Sequence, residues 1–320
     1  MHAEQFISDG YVSKRGFGFD HTEPETLSGC FLCQKASAQV VWREMGYEGR
    51  LCACGLVYTH PKPPPGAIDY TIDHHPAAFY AFPAAFKARW LADRCPQGRL
   101  LEVGCGEGFF LSAARRLGYE VVGLEPHAGR AQRVREQFHI EVMESFLENH
   151  SLPAKSFDVV YHCDLLAHFP DPLGALHAMS NLLRPRGVLC FEVGILGGIS
   201  PRWYPLVGRL GLGYHLWLYS EPAVSALLTQ AGLRIESLQR FGLGPRVVVG
   251  KAKAWLRSLP VPARVQRSQA DADLQTTRAH GSLEGWWPNF LRYRVGALAP
   301  CLGPLTLLIV ARPEEDGRGG

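Results

Sequence analysis

The chain lacks any uninterrupted run of 18 apolar residues, and its first residues, Met-His-Ala-Glu-Gln-Phe-Ile-Ser-Asp, hold no basic segment leading into an apolar one. Neither a spanning helix nor a secretory leader is expected, which leaves the cytoplasm as the default location. A strong charge of either sign is missing too: 33 Lys and Arg against 30 Asp and Glu give a net charge of +3. That is too weak a field to argue for nucleic acid as a partner. Nine cysteines in 320 residues, one of them inside a glycine turn, suit a reducing compartment where thiols pack, bind metal or stay free. With 47% hydrophobic and 20% charged residues, the chain can bury one sizeable α/β core and still carry a small accessory module. Nothing in the composition sets an oligomeric state.

The most informative stretch is Leu100-Leu-Glu-Val-Gly-Cys-Gly-Glu-Gly-Phe-Phe110, followed by Glu120-Val-Val-Gly-Leu-Glu-Pro-His127. It reads as a buried strand, a glycine turn, a helix and a second strand ending in a carboxylate. Gly104, Gly106 and Gly108 let the backbone turn tightly and lie against a ligand, while the next helix aims its first amides at it. Glu125 falls about 20 residues on, where a carboxylate can accept from ribose hydroxyls. A dinucleotide fingerprint has the spacing Gly-x-Gly-x-x-Gly. Here the spacing is Gly-x-Gly-x-Gly, and Phe109 stands where the third glycine would be. Glu102, two residues before the turn, suits a cationic or amino-bearing ligand better than a pyrophosphate.

Leu-Glu-Val-Gly-Cys-Gly-Glu-Gly therefore resembles the first motif of class I S-adenosylmethionine-dependent methyltransferases. The likeness continues in order through Ser156-Phe-Asp-Val-Val-Tyr161, Asp164-Leu-Leu-Ala-His-Phe-Pro-Asp-Pro172, Leu182-Leu-Arg-Pro-Arg-Gly-Val-Leu-Cys-Phe-Glu192, Tyr219–Ile235 and Leu305–Ala311. It implies an α/β, Rossmann-like, seven-stranded and mostly parallel sheet with the last strand antiparallel, and S-adenosyl-L-methionine as the cofactor. It further implies that Gly104, Cys105, Gly106 and Gly108 carry the cofactor's amino-acid end, Glu102 its ammonium region, and Glu125 with Pro126 its ribose. Asp164 either lies near the cofactor or caps the helix that follows, and Tyr70 either closes over the cofactor or packs. Two departures stand out. Many relatives have Glu-His where this chain has Ala167-His168, and the frequent Gly-Asp pair after strand three is replaced by Glu144-Ser145.

Cys30-Phe-Leu-Cys33 and Cys52-Ala-Cys54-Gly55 bracket 18 residues that include a short strand, Val40-Val-Trp42. Two facing cysteine pairs can give four thiolates to one tetrahedral Zn2+, a closed and therefore structural site. Loose thiols, or His21 or His60 in place of one ligand, are the alternatives. A zinc ribbon ahead of a methyltransferase core resembles a bacterial group that includes sugar C-methyltransferases. The domain reading is an N-terminal region 1–66 with the module at about 28–60, a methyltransferase domain 67–313 with a helical lid inserted at about 244–302, and a disordered tail 314–320.

Residues after strands four and five face the transferred methyl in this fold, which brings forward His168 and His215 as catalytic candidates beside His162 and Asp164. A histidine takes a proton near neutral pH without help, and a hydrogen-bonded structural imidazole is the competing reading. In the insertion, Trp255 and Trp286-Trp287 lie near Lys or Arg. That pattern fits either a lid packed on the core or weak contact with a membrane surface. The acceptor expected is a small molecule such as a nucleotide-linked sugar, a glycan or a secondary-metabolite precursor. A nicotinamide-dependent oxidoreductase, against which the turn spacing argues, is one rival; two others are a non-catalytic cofactor-binding scaffold that docks a partner through the cysteine module, and a nucleic-acid methyltransferase. Against the latter stands the absence of an Asn/Asp-Pro-Pro-Tyr/Phe motif.

Overall fold

The computed structural model describes residues 30–35, 39–63, 77–196, 210–242, 293 and 304–314. Tyr70, His21 and the insertion at about 244–302, apart from Tyr293, lie outside the described residues. Eleven strands are described: β1 (Gln39–Glu44), β2 (Tyr47–Leu51), β3 (Val57–His60), β4 (Arg99–Val103), β5 (Glu120–Leu124), β6 (Glu141–Met143), β7 (Phe157–Cys163), β8 (Leu183–Gly194), β9 (Trp217–Leu218), β10 (Leu233–Gly242) and β11 (Pro304–Pro313). The helices are α1 (Ala77–Ala92), α2 (Phe109–Arg116), α3 (Ala128–Phe138), α4 (Pro172–Leu182) and α5 (Glu221–Gln230).

Seven strands form one sheet in the order β10-β11-β8-β7-β4-β5-β6. The pairs from β8 to β6 are all parallel, whereas β11 runs antiparallel to both its neighbours. This is the mostly parallel, seven-stranded arrangement that the glycine-turn resemblance implies. From β4 the chain moves outward through β5 and β6, then returns to add β7 and β8 on the other side. The crevice beyond the carboxyl ends of β4 and β7 is thus the switch point at which open α/β sheets bind ligands.

Parallel strands buried on both faces read as near-continuous apolar runs. Here Leu101, Val103, Val160, Leu189 and Phe191 pack on one side, and Leu100, Val159, Tyr161, Val188 and Cys190 on the other, where α1 and α2 lie. Local signals set the helix starts. Asp171 accepts from Gly174 N (2.9 Å) ahead of Pro172, and Ser220 accepts from Ala223 N (3.3 Å) at the start of α5. At the far end of the chain, Glu314 N donates to Gly232 O (2.8 Å), so the first residue of the expected disordered tail is tied to the sheet.

The cysteine module contributes a second sheet, β1-β2-β3-β9. Its fourth strand comes from the segment that follows β8, with Tyr58 opposite Trp217 and Val57 opposite Leu218. Cys30, Leu32, Cys52, Leu56 and Tyr58 belong to the same core cluster as Leu101, Phe191 and α5. Phe31 packs edge-on against Trp217 with ring centroids 4.6 Å apart. The module is therefore joined to the main core by shared apolar burial as well as by chain.

Candidate active site

The glycine turn carries backbone angles that side chains avoid: φ is +67° at Gly104, +54° at Gly106 and +74° at Gly108. Gly104 N and Cys105 N donate to Leu124 O (2.7 and 3.2 Å), which fastens the turn to the end of β5. A Cβ at Gly108 would come within 2.7 Å of Val134, so this position admits α3 against the start of α2. A Cβ at Gly106 would meet nothing within 4 Å among the described residues, which leaves room on that side of the turn for a ligand. Cys105 is buried, and Glu107 grips Arg133 of α3 at 2.8 and 3.1 Å.

Glu125 is 4% exposed, and its two oxygens accept from Gly106 N (2.9 Å) and His127 N (3.1 Å) across the exposed bend at Pro126. The carboxylate thus braces the turn, and each oxygen keeps a further lone pair for a ribose hydroxyl. Glu102 is equally buried, and its Oε2 has no hydrogen-bond partner among the described residues. Burial pushes its carboxyl well above the usual range, opposed by the nearby Lys87 ammonium. A buried acid with one oxygen left unpartnered among the described residues, next to a glycine turn and a braced carboxylate, fits a ligand with an ammonium group at one end and a ribose at the other.

Asp164 ties the sheet at this edge. With φ +53°, its N donates to Glu192 O (3.0 Å) and its Oδ1 accepts from Gly194 N (3.0 Å). It does not cap α4, a role that falls to Asp171 because only that residue precedes the first helical turn. Asp158, in the Ser156–Tyr161 stretch, sits at the amino end of β7, away from the crevice, accepting from Arg99 N and Arg184 Nη1 (2.8 and 2.7 Å). His162 ends up inside the sheet, fully buried and stacked on Phe191 with centroids 4.8 Å apart.

His168 and His215 do come together, with ring centroids 5.0 Å apart. His168 Nδ1 lies 2.8 Å from Tyr214 O and His215 Nδ1 lies 2.7 Å from Leu210 O. A carbonyl only accepts, so each Nδ1 carries the hydrogen and Nε2 is the accepting nitrogen. Burial, and then His215, lower the His168 pKa to about 4. The cysteine module holds this segment from below. Glu44 Oε2 accepts from Leu210 N (2.8 Å) and Gly211 N (3.1 Å), and Thr59 Oγ1 donates to His215 O.

One cluster escaped the sequence reading. Lys87 Nζ of α1 is 3.0 Å from Glu192 Oε2 of β8 and donates to Cys163 Sγ of β7 at 3.0 Å. The Tyr293 hydroxyl, from the insertion, donates to both Glu192 oxygens at 3.0 and 2.9 Å. Lys87, Glu192 and Tyr293 are 8%, 1% and 2% exposed. Burial alone would favour a neutral amine, but Cys163 and Glu192 hold Lys87 protonated well above its ordinary range. The available signals were faint: a first lysine in the apolar run Ala84-Ala-Phe-Lys-Ala-Arg-Trp90, and a carboxylate closing the buried strand Val188-Leu-Cys-Phe-Glu192.

The four cysteines of the module also converge. Cys30 Sγ and Cys54 Sγ are 3.6 Å apart, Cys33 Sγ and Cys52 Sγ 3.2 Å, and all four sulfurs lie within 4.8 Å of one another. A tetrahedral Zn2+ with Zn–S near 2.3 Å holds sulfurs about 3.8 Å apart, so the donor set fits a closed four-thiolate site. His60 is not among the converging ligand atoms.

Comparison with known proteins gives the family. A family profile described as a methyltransferase domain matches residues 74–238. Ubiquinone biosynthesis O-methyltransferase of Ruegeria pomeroyi is 32% identical over 165 residues, covering 46% of this chain and 64% of the relative. The protein of that name from Salmonella enteritidis is 32% identical over 100 residues, covering 29% and 41%. The chain thus spans less than two thirds of the length of these curated relatives. Among solved structures, geranyl diphosphate C-methyltransferase from Streptomyces coelicolor superposes with a TM-score of 0.46 at 16% identity, covering 72% of this chain and 77% of that one. An S-adenosylmethionine-dependent methyltransferase from Mesorhizobium loti gives 0.46 at 18%, covering 72% and 97%. The profile spans more than half of the 320 residues and contains the glycine turn, Glu125 and the ends of β7 and β8, and the chain belongs to the methyltransferase-domain family.

Proposed function

We propose that this protein is an S-adenosylmethionine-dependent methyltransferase that modifies an oxygen atom of a small molecule. The observation that carries the reading is the buried, unpartnered Glu102 Oε2 beside the open Gly106 turn and the braced Glu125. The cofactor supplies a sulfonium methyl for in-line displacement, so the protein's task is to hold and align the acceptor. Gly104, Cys105, Gly106 and Gly108 carry the cofactor's amino-acid end, Glu102 meets its ammonium, and Glu125 with Pro126 meets its ribose. Asp164 fixes the crevice floor between β7 and β8. The curated relatives are named ubiquinone biosynthesis O-methyltransferases, which favours oxygen over carbon or nitrogen as the acceptor atom and names no nucleotide-linked sugar or glycan.

His168 and His215 orient the acceptor through Nε2. An imidazole whose pKa sits near 4 holds a proton weakly at neutral pH, which favours accepting a hydrogen bond over storing a proton. Zn2+ on Cys30, Cys33, Cys52 and Cys54 is structural in this reading, since four thiolates leave no open position for chemistry. No helix among the described residues is long and apolar enough to cross a membrane. Calorimetric titration with S-adenosylmethionine, and separately with a nicotinamide dinucleotide, tests the reading. Binding of the former alone is expected, and binding of the dinucleotide instead would overturn it.

A further inference from the structure

Cys163, Asp164 and Glu192 present a thiol and two carboxylates whose ligand atoms lie within 4.8 Å of one another, the spacing of a cation site. The cation is part of the protein: the Lys87 ammonium stands 3.0 Å from both Cys163 Sγ and Glu192 Oε2. These side chains sit at the carboxyl ends of β7 and β8, next to the switch point. Glu102, Tyr161 and Cys163 lie on the same sheet face as Glu192, in the register Glu102 opposite Tyr161 and Cys163 opposite Glu192. Tyr161 Oη is buried without a partner among the described residues, a second orphaned polar atom beside that of Glu102. Cys163 and Asp164 are only half-buried, so the cluster is approachable from their side. Glu192 is held from two directions, by Lys87 and by Tyr293.

We propose that Lys87 and Glu192 form a proton-exchanging seat for the methyl acceptor, which binds as an oxyanion on the Lys87 ammonium, and that the acceptor is therefore a phenol or enol. This deepens the oxygen-methyltransferase reading and rests on it. The step balances within the cluster. The acceptor's O–H bond breaks, its electron pair stays on oxygen, and the proton goes to Glu192 Oε2. The ammonium then passes from Glu192 to the new oxyanion, and Tyr293 continues to donate to the neutral acid. The buried charge is the same before and after, so no uncompensated ion is created in a low-dielectric site.

Magnitudes choose the acceptor class. A phenol near 10 lies about six pKa units above a carboxyl near 4.3, whereas an alkyl alcohol close to water's ~16 lies about twelve above. Burial and a paired charge shift such values by roughly 3–5 units, which brings the phenol within reach and leaves the alcohol out. Among the described residues, the titratable groups facing the seat are Lys87 from α1, Glu102 from β4, Tyr161 and Cys163 from β7, Asp164 after it, Glu192 from β8, and Tyr293.

The test is a spectroscopic titration of the full chain, saturated with S-adenosylhomocysteine, with 4-nitrocatechol one pH unit below the probe's own ionisation in water. The wild type is expected to bind the probe with its phenolate band developed. Lys87→Met should lose that band and weaken the probe at least tenfold. Glu192→Gln should keep the band at equal or tighter affinity, with the proton now released to buffer. The double variant Lys87→Met/Glu192→Gln leaves no unpaired buried charge and should behave as Lys87→Met, which guards against a misfolded single variant. The inference is overturned if the wild type ignores the probe or binds it neutral, if Lys87→Met keeps the band, or if that variant loses S-adenosylhomocysteine affinity tenfold, which would assign Lys87 to the cofactor. Failure of the wild type to bind S-adenosylhomocysteine, read by calorimetry before any probe is added, instead sinks the methyltransferase reading itself.

Discussion

His168 and His215 face each other at 5.0 Å with Nδ1 of each tied to a backbone carbonyl, so one local turn sets the tautomer of both rings. The expectation is that both are Nδ1–H tautomers, visible in the long-range nitrogen–proton NMR spectrum of the histidine rings. If they orient the acceptor through Nε2, His168→Ala or His215→Ala should lower kcat/KM by about tenfold, the worth of one hydrogen bond, with cofactor affinity unchanged. A loss in the ~10²–10⁴ range would instead identify a general base.

Glu125 both braces the turn and is placed to meet the ribose. Glu125→Ala should weaken S-adenosylmethionine binding by roughly 10–100-fold, taking charge-assisted hydrogen bonds as about 1.5–3 kcal/mol. It should also lower stability, since Gly106 N and His127 N lose their acceptor. Glu125→Gln, which keeps one acceptor oxygen, should fall between the two. Unchanged affinity in folded Glu125→Ala, measured by calorimetry, would remove the ribose assignment.

The cysteine cluster shares its core with Phe191 and α5, so metal loss should be felt beyond the module. Elemental analysis is expected to find about one zinc per chain, as a single four-thiolate site requires. Chelation or Cys30→Ser should lower the unfolding midpoint by about 10 °C or more, at roughly 2–4 °C per kcal/mol for a large domain. Trp217, packed on Phe31, should change its fluorescence in the same transition. Zinc-free protein with an unaltered midpoint would dismiss the metal.

His162 makes acid a test of the core. Its ring is fully buried, neither nitrogen is hydrogen-bonded among the described residues, and burial lowers its pKa to about 3. The unfolded chain, with a histidine near 6.5, then binds the extra proton between about pH 3 and 6.5. Stability is full above that window and falls as pH drops through it, by about 1.4 kcal/mol per pH unit. Glu102, raised by burial, acts with the opposite sign in this range. The informative quantity is therefore the wild type minus His162→Phe difference in urea unfolding at pH 7.5, 6.5 and 5.5. It should shrink with falling pH, and a flat difference would contradict a neutral buried ring.

Much of this molecule is written locally. The turn at Gly104-Cys-Gly-Glu-Gly108 is readable because positive φ and close backbone approach demand glycine, and β4, β5 and β7 because fully buried strands need apolar runs. The starts of α4 and α5 follow from Asp171-Pro172 and Ser220 for the same short-range reason. Asp158 and Asp164 bracket β7, and only the strand's register tells that Asp158 stands at its amino end and Asp164 just beyond its carboxyl end.

What the sequence by itself determined is therefore whatever depends on neighbours in the chain: the glycine turn, the carboxylate ending β5, the cysteine spacing and the order of the elements. Tertiary structure alone decided the rest. It brought Lys87, Cys163, Glu192 and Tyr293, spread over more than 200 residues, to one buried point. It also made β9 a strand of the module's sheet. The physical reason is that burial and ion pairing are set by what packs across the sheet. A lysine in an apolar helix and a glutamate ending a buried strand have no sequence-local partner, and acquire their chemistry only when the fold closes over them.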